Sequence, residues 1–170
     1  MSYVLVGLAI MSLSIMVVSR MGNKTNDSKR MVEVRDEVTN QVALIRSKLI
    51  ACSVFYPGGN NGLGYRPQLP ITPIAGVLSN VADGYVVDVL CPGNPNANKS
   101  IWSSSDGVYM PRKLTGLGDW KYIHDATSAR ISVAAIGAGA INLSALTNVA
   151  LRIGSQASVT GSALTVVIAN

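Results

Sequence analysis

The sequence predicts an α+β fold in which one long N-terminal helix packs on an antiparallel β-sheet. The first nineteen residues contain no charged side chain, and apolar residues then recur at helical spacing to about residue 53. The second half of the chain alternates apolar and polar residues in short runs separated by turns. One long helix, four or five antiparallel strands and one short helix together indicate the α+β class.

Residues 1–26 form the first predicted unit, an apolar helix that ends in a weak segment. A helix of nineteen uncharged residues spans about 28 Å, close to the ~30 Å hydrocarbon core of a bilayer. Such a helix crosses a membrane or lies in an equally apolar helix bundle. Near residues 21–26 the sequence MGNKTN gathers poor helix formers, so we expect a weak point at Gly22.

The residues around this apolar segment distinguish three interpretations. A secretory signal peptide is disfavoured, because no Lys or Arg precedes Arg20 and no small-residue cleavage site is present. An ordinary membrane anchor stays open, although its basic residues follow the segment, against the positive-inside rule for an exported head. We favour a mature chain whose short basic leader has been removed.

Residues 27–170 form the second predicted unit, a head that includes the amphipathic half of the helix. The helix restarts at Asp27, a plausible N-terminal acid, and runs to about Ser53. Joined to the first segment it would be near 80 Å long, so only half of it can pack on the head. The apolar stripe of this half consists of Met31, Val34, Val38, Val42, Ile45, Leu49 and Cys52.

After the helix, the chain is predicted to form a surface loop and then a strand. Glycines and prolines exclude regular structure over residues 56–70, and no GK[ST] motif follows that would indicate a phosphate-binding loop. The stretch from Gly84 to Gly93 is rich in β-branched residues and reads as a strand. In the next loop, residues 94–105, we expect Trp102 to contact the core.

The remaining elements are a hairpin, a helix and a final strand. VYMPR, residues 108–112, is at best a short edge strand, because Pro111 has no N–H to donate. Residues 119–125 and the following ARISVAAIG alternate as two strands of a hairpin.

Near the C-terminus, residues 141–153 place their apolar side chains on one helical face, and Gly154 follows as a C-cap. A turn at Gly161 and Ser162 then leads into a last strand, Ala163 to Ala169. These elements complete the predicted head.

Composition and charge favour an exported protein that contacts copies of itself. Only 14% of the residues are charged and the net charge is +5, so the surface is largely polar and uncharged. Residues 20–48 carry seven positive and four negative charges. A basic neck of this kind meets lipid headgroups or neighbouring subunits more often than nucleic acid, and no aromatic residues are interleaved with it for base stacking.

The head offers no recognisable catalytic or metal-binding set. One histidine, His124, stands in a strand pattern, and no serine lies in a GxSxG elbow. Two cysteines and one histidine cannot supply a zinc site at accepted spacing. We therefore expect no enzymatic activity, no metal and no cofactor. The scattered acids of the head are Asp83, Asp88, Asp106, Asp119 and Asp125.

The two cysteines, Cys52 and Cys91, are expected to pair in an exported chain. The alternative is a pair of buried free thiols in a cytosolic protein. A disulfide would close a loop of about 40 residues and tie the end of the helix to the first strand.

The order of these features resembles the type IV pilin and pseudopilin family. The features are an apolar N-terminal segment, a glycine near residue 22, an amphipathic helix to about residue 53, a glycine-rich loop and an antiparallel sheet. The stretches PGGNNGLGY, CPG and DGVYMPR look like those of pilin-like proteins. The resemblance implies an inner-membrane precursor that is cleaved and assembled into an extracellular filament, a fimbrium of identical subunits with bundled N-terminal helices.

Two positions depart from the family pattern. Leu5 stands where the family usually has a glutamate that pairs with the N-terminal amine of a neighbour, and Gly22 stands where a proline is common. Helix packing in the filament core would then rest on non-ionic contacts. The residues expected to make these contacts are Tyr3, Val4, Leu8, Met11, Ile15 and Val18.

Two alternatives to a filament subunit remain open. One is a monomeric periplasmic binding domain anchored in the inner membrane. The other is a minor pseudopilin placed at the tip of a secretion-system filament.

Overall fold

A computed structural model describes residues 2–55, 82–89, 91, 100–102, 108–124, 128–137 and 139–169. The side chains of residues 1–25, 53, 55, 82, 83, 124 and 169 lie outside the described set, as does the loop predicted at 56–70. Within the described residues the predicted α+β class is confirmed: a long N-terminal helix packs on a five-stranded antiparallel sheet.

The first helix, α1, extends from Ser2 to Phe55. The predicted apolar stripe is confirmed as its contact with the head. Met31 and Val34 are half-buried, and every stripe residue from Val38 to Cys52 is buried. The backbone is helical through residues 21–26 as well. The weakness expected at Gly22 concerns stability and stays a prediction.

The sheet has the strand order β1-β2-β3-β5-β4, and every neighbouring pair is antiparallel. The predicted β2–β3 hairpin and last strand are confirmed. The predicted second helix, α2 (Ala140–Ile153), is confirmed too, and it ends at Gly154, whose φ of 83° suits a glycine C-cap. The strands are β1 (Ala82–Tyr85), β2 (Lys121–His124), β3 (Ala129–Ala134), β4 (Ala157–Thr160) and β5 (Ala163–Ala169).

The strand predicted from Gly84 to Gly93 is wrong beyond Tyr85. The chain leaves the sheet there and makes a 3₁₀ turn, Val86–Asp88. Val86 and Val89, three residues apart, are both fully buried, whereas a strand would bury residues at even spacing. The predicted contact of Trp102 with the core is confirmed, since its Nε1 donates to the carbonyl of Val86 at 2.9 Å and it packs on the core.

The segment 108–120 forms no strand, in contrast to the edge strand considered for residues 108–112. Its single ladder contact is a bridge between Leu117 and Ala135. We call residues 108–120 the bridging segment, because side chains from both helices hold it.

The core lies between the inner face of the sheet and the two helices. Side chains alternate along β3 and β5, so that every second residue points into the core. Tyr122 of β2 is fully buried among them, and this burial raises the pKa of its phenol far above the ordinary value. The inner face presents Trp120, Tyr122, Ala129, Ile131, Val133, Leu164, Val166 and Ile168.

Helix α2 lies against α1 and is held there by polar contacts at the edge of the core. Arg152 approaches Asp36 at 3.5 Å, and the same carboxylate pairs with Arg35 at 2.8 Å. The side-chain amide of Asn148 lies 3.8 Å from the sulfur of Met31. These partly exposed contacts add little free energy, and the buried apolar side chains supply most of the packing.

One polar side chain, Gln41, is buried within the apolar stripe and is only 4% exposed. Its Oε1 accepts a hydrogen bond from Trp120 Nε1 at 2.7 Å, and its Nε2 donates to the carbonyl of Arg112 at 3.1 Å. A weaker contact of 3.3 Å joins the same Nε2 to Glu37. Gln41 therefore fastens the bridging segment to α1 at two points.

The other helix holds the bridging segment through Asn142, whose Nδ2 donates to the carbonyl of Gly116 at 3.1 Å. Gly116 has a φ of 79°, and a Cβ there would collide with the Asn142 amide. Glycine is thus required at this position for both its conformation and its close approach.

The predicted disulfide between Cys52 and Cys91 is confirmed. Both cysteines are buried, their Cα atoms are 5.7 Å apart, and they are separated by 39 positions in the sequence. The bond joins the end of α1 to the chain that follows the 3₁₀ turn.

Replacing Gln41 by Leu is expected to lower the free energy of unfolding by about 1–3 kcal/mol. The substitution keeps an apolar side chain in the stripe but removes partners from the Trp120 N–H and the Arg112 carbonyl. Urea unfolding of the full chain in a non-ionic detergent, followed by tryptophan fluorescence, measures the change. The matched control is Gln156→Leu, because Gln156 is exposed and bonds only Arg46 through its side chain. Equal midpoints for the two variants would contradict the role of Gln41.

Removing the disulfide by Cys52→Ala with Cys91→Ala is expected to cost about 4 kcal/mol in the chain-entropy model. Chemical denaturation of the oxidised chain and of the double variant gives the difference. In the native protein neither sulfur should react with iodoacetamide before reduction. Labelling of the unreduced, denatured chain would show that the bond is absent.

Candidate functional site

The candidate functional site is the part of α1 that precedes the head, together with its continuation along the back of the helix. Residues 26–30 are all exposed, and packing on the head begins at Met31. The helix continues in the N-terminal direction to Ser2, so about 44 Å of helix precede Met31.

The residues predicted to pack in a filament core belong to this N-terminal part of α1. Their side chains lie outside the described residues, so the contacts expected of them stay predictions. Their spacing of three and four residues matches the helical repeat and places most of them on one face. They are Tyr3, Val4, Leu8, Met11, Ile15 and Val18. In the part of the chain that was searched for membrane spans, the described residues, no helix has the length and apolarity to cross a bilayer.

A second apolar series lies on the side of α1 that faces away from the head, and we call it the back stripe. It consists of Val32, Ala43, Ile50 and Val54, all exposed. The exposed fractions of the three larger side chains are 39%, 40% and 67%. At about 100° per residue these positions lie about 120–160° around the helix from Val38.

The sequence prediction missed the back stripe, although its signal was present. The intervals between its members are multiples of the helical repeat, but they are longer than those of the buried stripe. Residues of mixed character separate its members, so the shorter and denser stripe dominated the pattern.

Charged residues of both signs surround α1 where it leaves the head. Asp27, Lys29, Arg30, Glu33 and Glu37 are all exposed. With this mixture of signs the described neck is no uniform cationic surface, although the sequence count over residues 20–48 is positive. Exposed ion pairs at such a neck contribute little binding free energy and are screened by salt.

The head contains a small cleft beside Gln41, lined among others by Met110, Leu114 and Trp120. Its volume of about 30 Å³ has room for water and is far below that of a typical ligand site. An exposed ion pair between Lys113 and Asp119, at 2.9 Å, lies at its rim. The cleft therefore offers no space for an organic substrate.

Titratable residues do not converge elsewhere in the described parts of the head. There, no group of three His, Cys, Asp or Glu side chains could hold a metal ion. Asp88 and Asp119 are exposed, and the side chains of Asp83 and His124 lie outside the described residues. Asp106 and Asp125 lie outside them as well.

Comparison with protein-family models, with curated proteins and with solved structures finds no significant match to this chain.

Proposed function

We propose that this protein is a non-enzymatic structural subunit of a type IV pilus-like extracellular filament, held in the inner membrane as a precursor and assembled through its N-terminal helix. The observation that carries the proposal is the back stripe. A helix that buries one face on its own head and leaves a second apolar series exposed has a surface suited to neighbouring helices.

The two parts of α1 support the same mode of assembly. Counted at about 100° per residue, positions 4, 8, 11, 15 and 18 fall on the half of the helix that faces away from the buried stripe. The back stripe lies on this half too. A bundle of such helices would bury both series and leave every head on the outside.

The energy of assembly in this proposal is dispersion and apolar burial. A fully buried Val, Leu or Ile contributes about 1.5–3 kcal/mol, so a few such residues per neighbour suffice for a stable contact. Leu5 lacks a carboxylate, so no ion pair from that position is needed or available. Gly7, Ala9, Ser12 and Ser14 are small enough to permit close helix approach.

The competing proposal is a membrane-anchored monomer that binds a ligand in the periplasm. Negative-stain electron microscopy of the purified protein after detergent removal separates the two. Regular filaments support the structural subunit. Detergent-bound monomers at every concentration, with no filament on detergent removal, would contradict it.

Aspartate on either apolar series should abolish filaments without unfolding the head. Leu8→Asp places a carboxylate in the proposed core, and Val54→Asp places one on the back stripe, where Val54 is 67% exposed in the single subunit. An unpaired carboxylate in a dry interface costs several kcal/mol. Filament yield by electron microscopy and head stability by circular dichroism are measured together.

The matched control for these variants is Ser158→Asp, an exposed position on β4. It should assemble like the unmodified chain. Normal filaments from Val54→Asp would exclude the back stripe as an assembly surface.

Filaments should persist at high salt. Screening acts on exposed charges, such as those of the neck, and hardly affects dispersion between apolar helices. Sedimentation of filaments at about 0.1 M and about 1 M NaCl, where the Debye length falls from about 10 Å to about 3 Å, tests this. Dissolution into subunits at 1 M salt would show that ionic contacts hold the filament together.

A further inference from the structure

The outer face of the sheet, opposite the core, carries one continuous row of polar side chains. Strand register aligns Tyr85 with Lys121, Lys121 with Ser132, Ser132 with Thr165, and Thr165 with Ser158. We call these five residues the polar row. It crosses all five strands, over about 19 Å at about 4.8 Å per strand.

Each member of the polar row carries a hydrogen-bond donor, and none is buried. Tyr85, Lys121 and Ser158 are exposed, whereas Ser132 and Thr165, on the inner strands, are half-buried. The hydroxyl groups can also accept hydrogen bonds, and the tyrosine adds an aromatic surface that is 48% exposed. Hydroxyls in a line with one aromatic side chain match a chain of sugar rings.

The described charges on this face are positive. Lys121 belongs to the row, and Arg130 lies diagonally across from it on β3, two residues before Ser132. Asp83 occupies β1 two residues before Tyr85, and its side chain lies outside the described residues. A cation beside hydroxyl groups favours a ligand that offers carboxylates or sulfates together with many hydroxyls.

A nucleic acid fits this surface less well. Single strands are bound by a groove of several cations and by several stacked aromatic side chains. Tyr85 is the one aromatic side chain of the polar row, and two cations are few for a continuous phosphate backbone. A neutral sugar chain would leave Lys121 without a counter-charge.

We propose that the polar row is a binding surface for acidic polysaccharides, with Lys121 contacting a carboxylate and the hydroxyl groups of Ser132 and Thr165 contacting sugar hydroxyls. Exposed contacts of this kind are weak one at a time. The site lies on the face remote from α1, so the proposed filament would leave it accessible and repeat it along its length. Repetition converts weak sites into strong overall binding.

Binding of the full chain, as detergent-solubilised monomers, to immobilised alginate fragments at low salt tests the proposal independently of filament assembly. Lys121→Gln is expected to raise Kd about fivefold, and Thr165→Val about twofold to threefold. The matched control is Arg112→Gln, which removes an exposed charge from the bridging segment and should leave Kd within twofold.

Two further probes, neutral dextran and single-stranded oligothymidylate, decide the class of ligand. The proposal holds if alginate binds more tightly than both and the affinity falls as salt is added. Equal binding of dextran, tighter binding of the oligonucleotide, or an unchanged Kd in Lys121→Gln and Thr165→Val would overturn it. Thermal unfolding of each variant shows whether the head is intact.

Discussion

The packing of the C-terminal half of α1 on the sheet is the interaction on which the rest of the molecule depends. Val38, Ile45 and Leu49 are fully buried there, and each contributes about 1.5–3 kcal/mol. The disulfide at Cys52 fixes the end of the same stripe. Because one side of the helix is committed to the head, the other side and the whole N-terminal half are left for other contacts.

Gln41 adds a constraint that apolar packing alone lacks. An apolar stripe tolerates small rotations and shifts, because one aliphatic contact can replace another at modest cost. The hydrogen bonds from Trp120 and to Arg112 fit one setting of the helix, since any other leaves buried polar groups without partners. That setting also fixes the direction of the back stripe, so a buried amide in the head determines how the proposed assembly surface is presented.

Local periodicity predicted those elements whose own residues decide their structure: the buried stripe of α1, the β2–β3 hairpin, α2 with Gly154, and β5. It failed between Gly84 and Gly93, where tertiary burial of Val86 and Val89 overrides the β propensity of the residues. Periodicity could not reveal Gln41 as a core residue, because its partners lie about 70 and 80 positions away. The polar row was equally hidden, since it exists only once five strands are in register.

The inner and outer faces of the sheet place opposite physical demands on the sequence. The inner face and α1 must exclude water, so a single charge there is costly. The outer face is wet, and substitutions at exposed positions such as Ser158 change stability by less than about 0.5 kcal/mol. Alternation along each strand separates the two demands residue by residue. The outer face is therefore free to acquire binding residues such as Lys121 without disturbing the contacts that position α1.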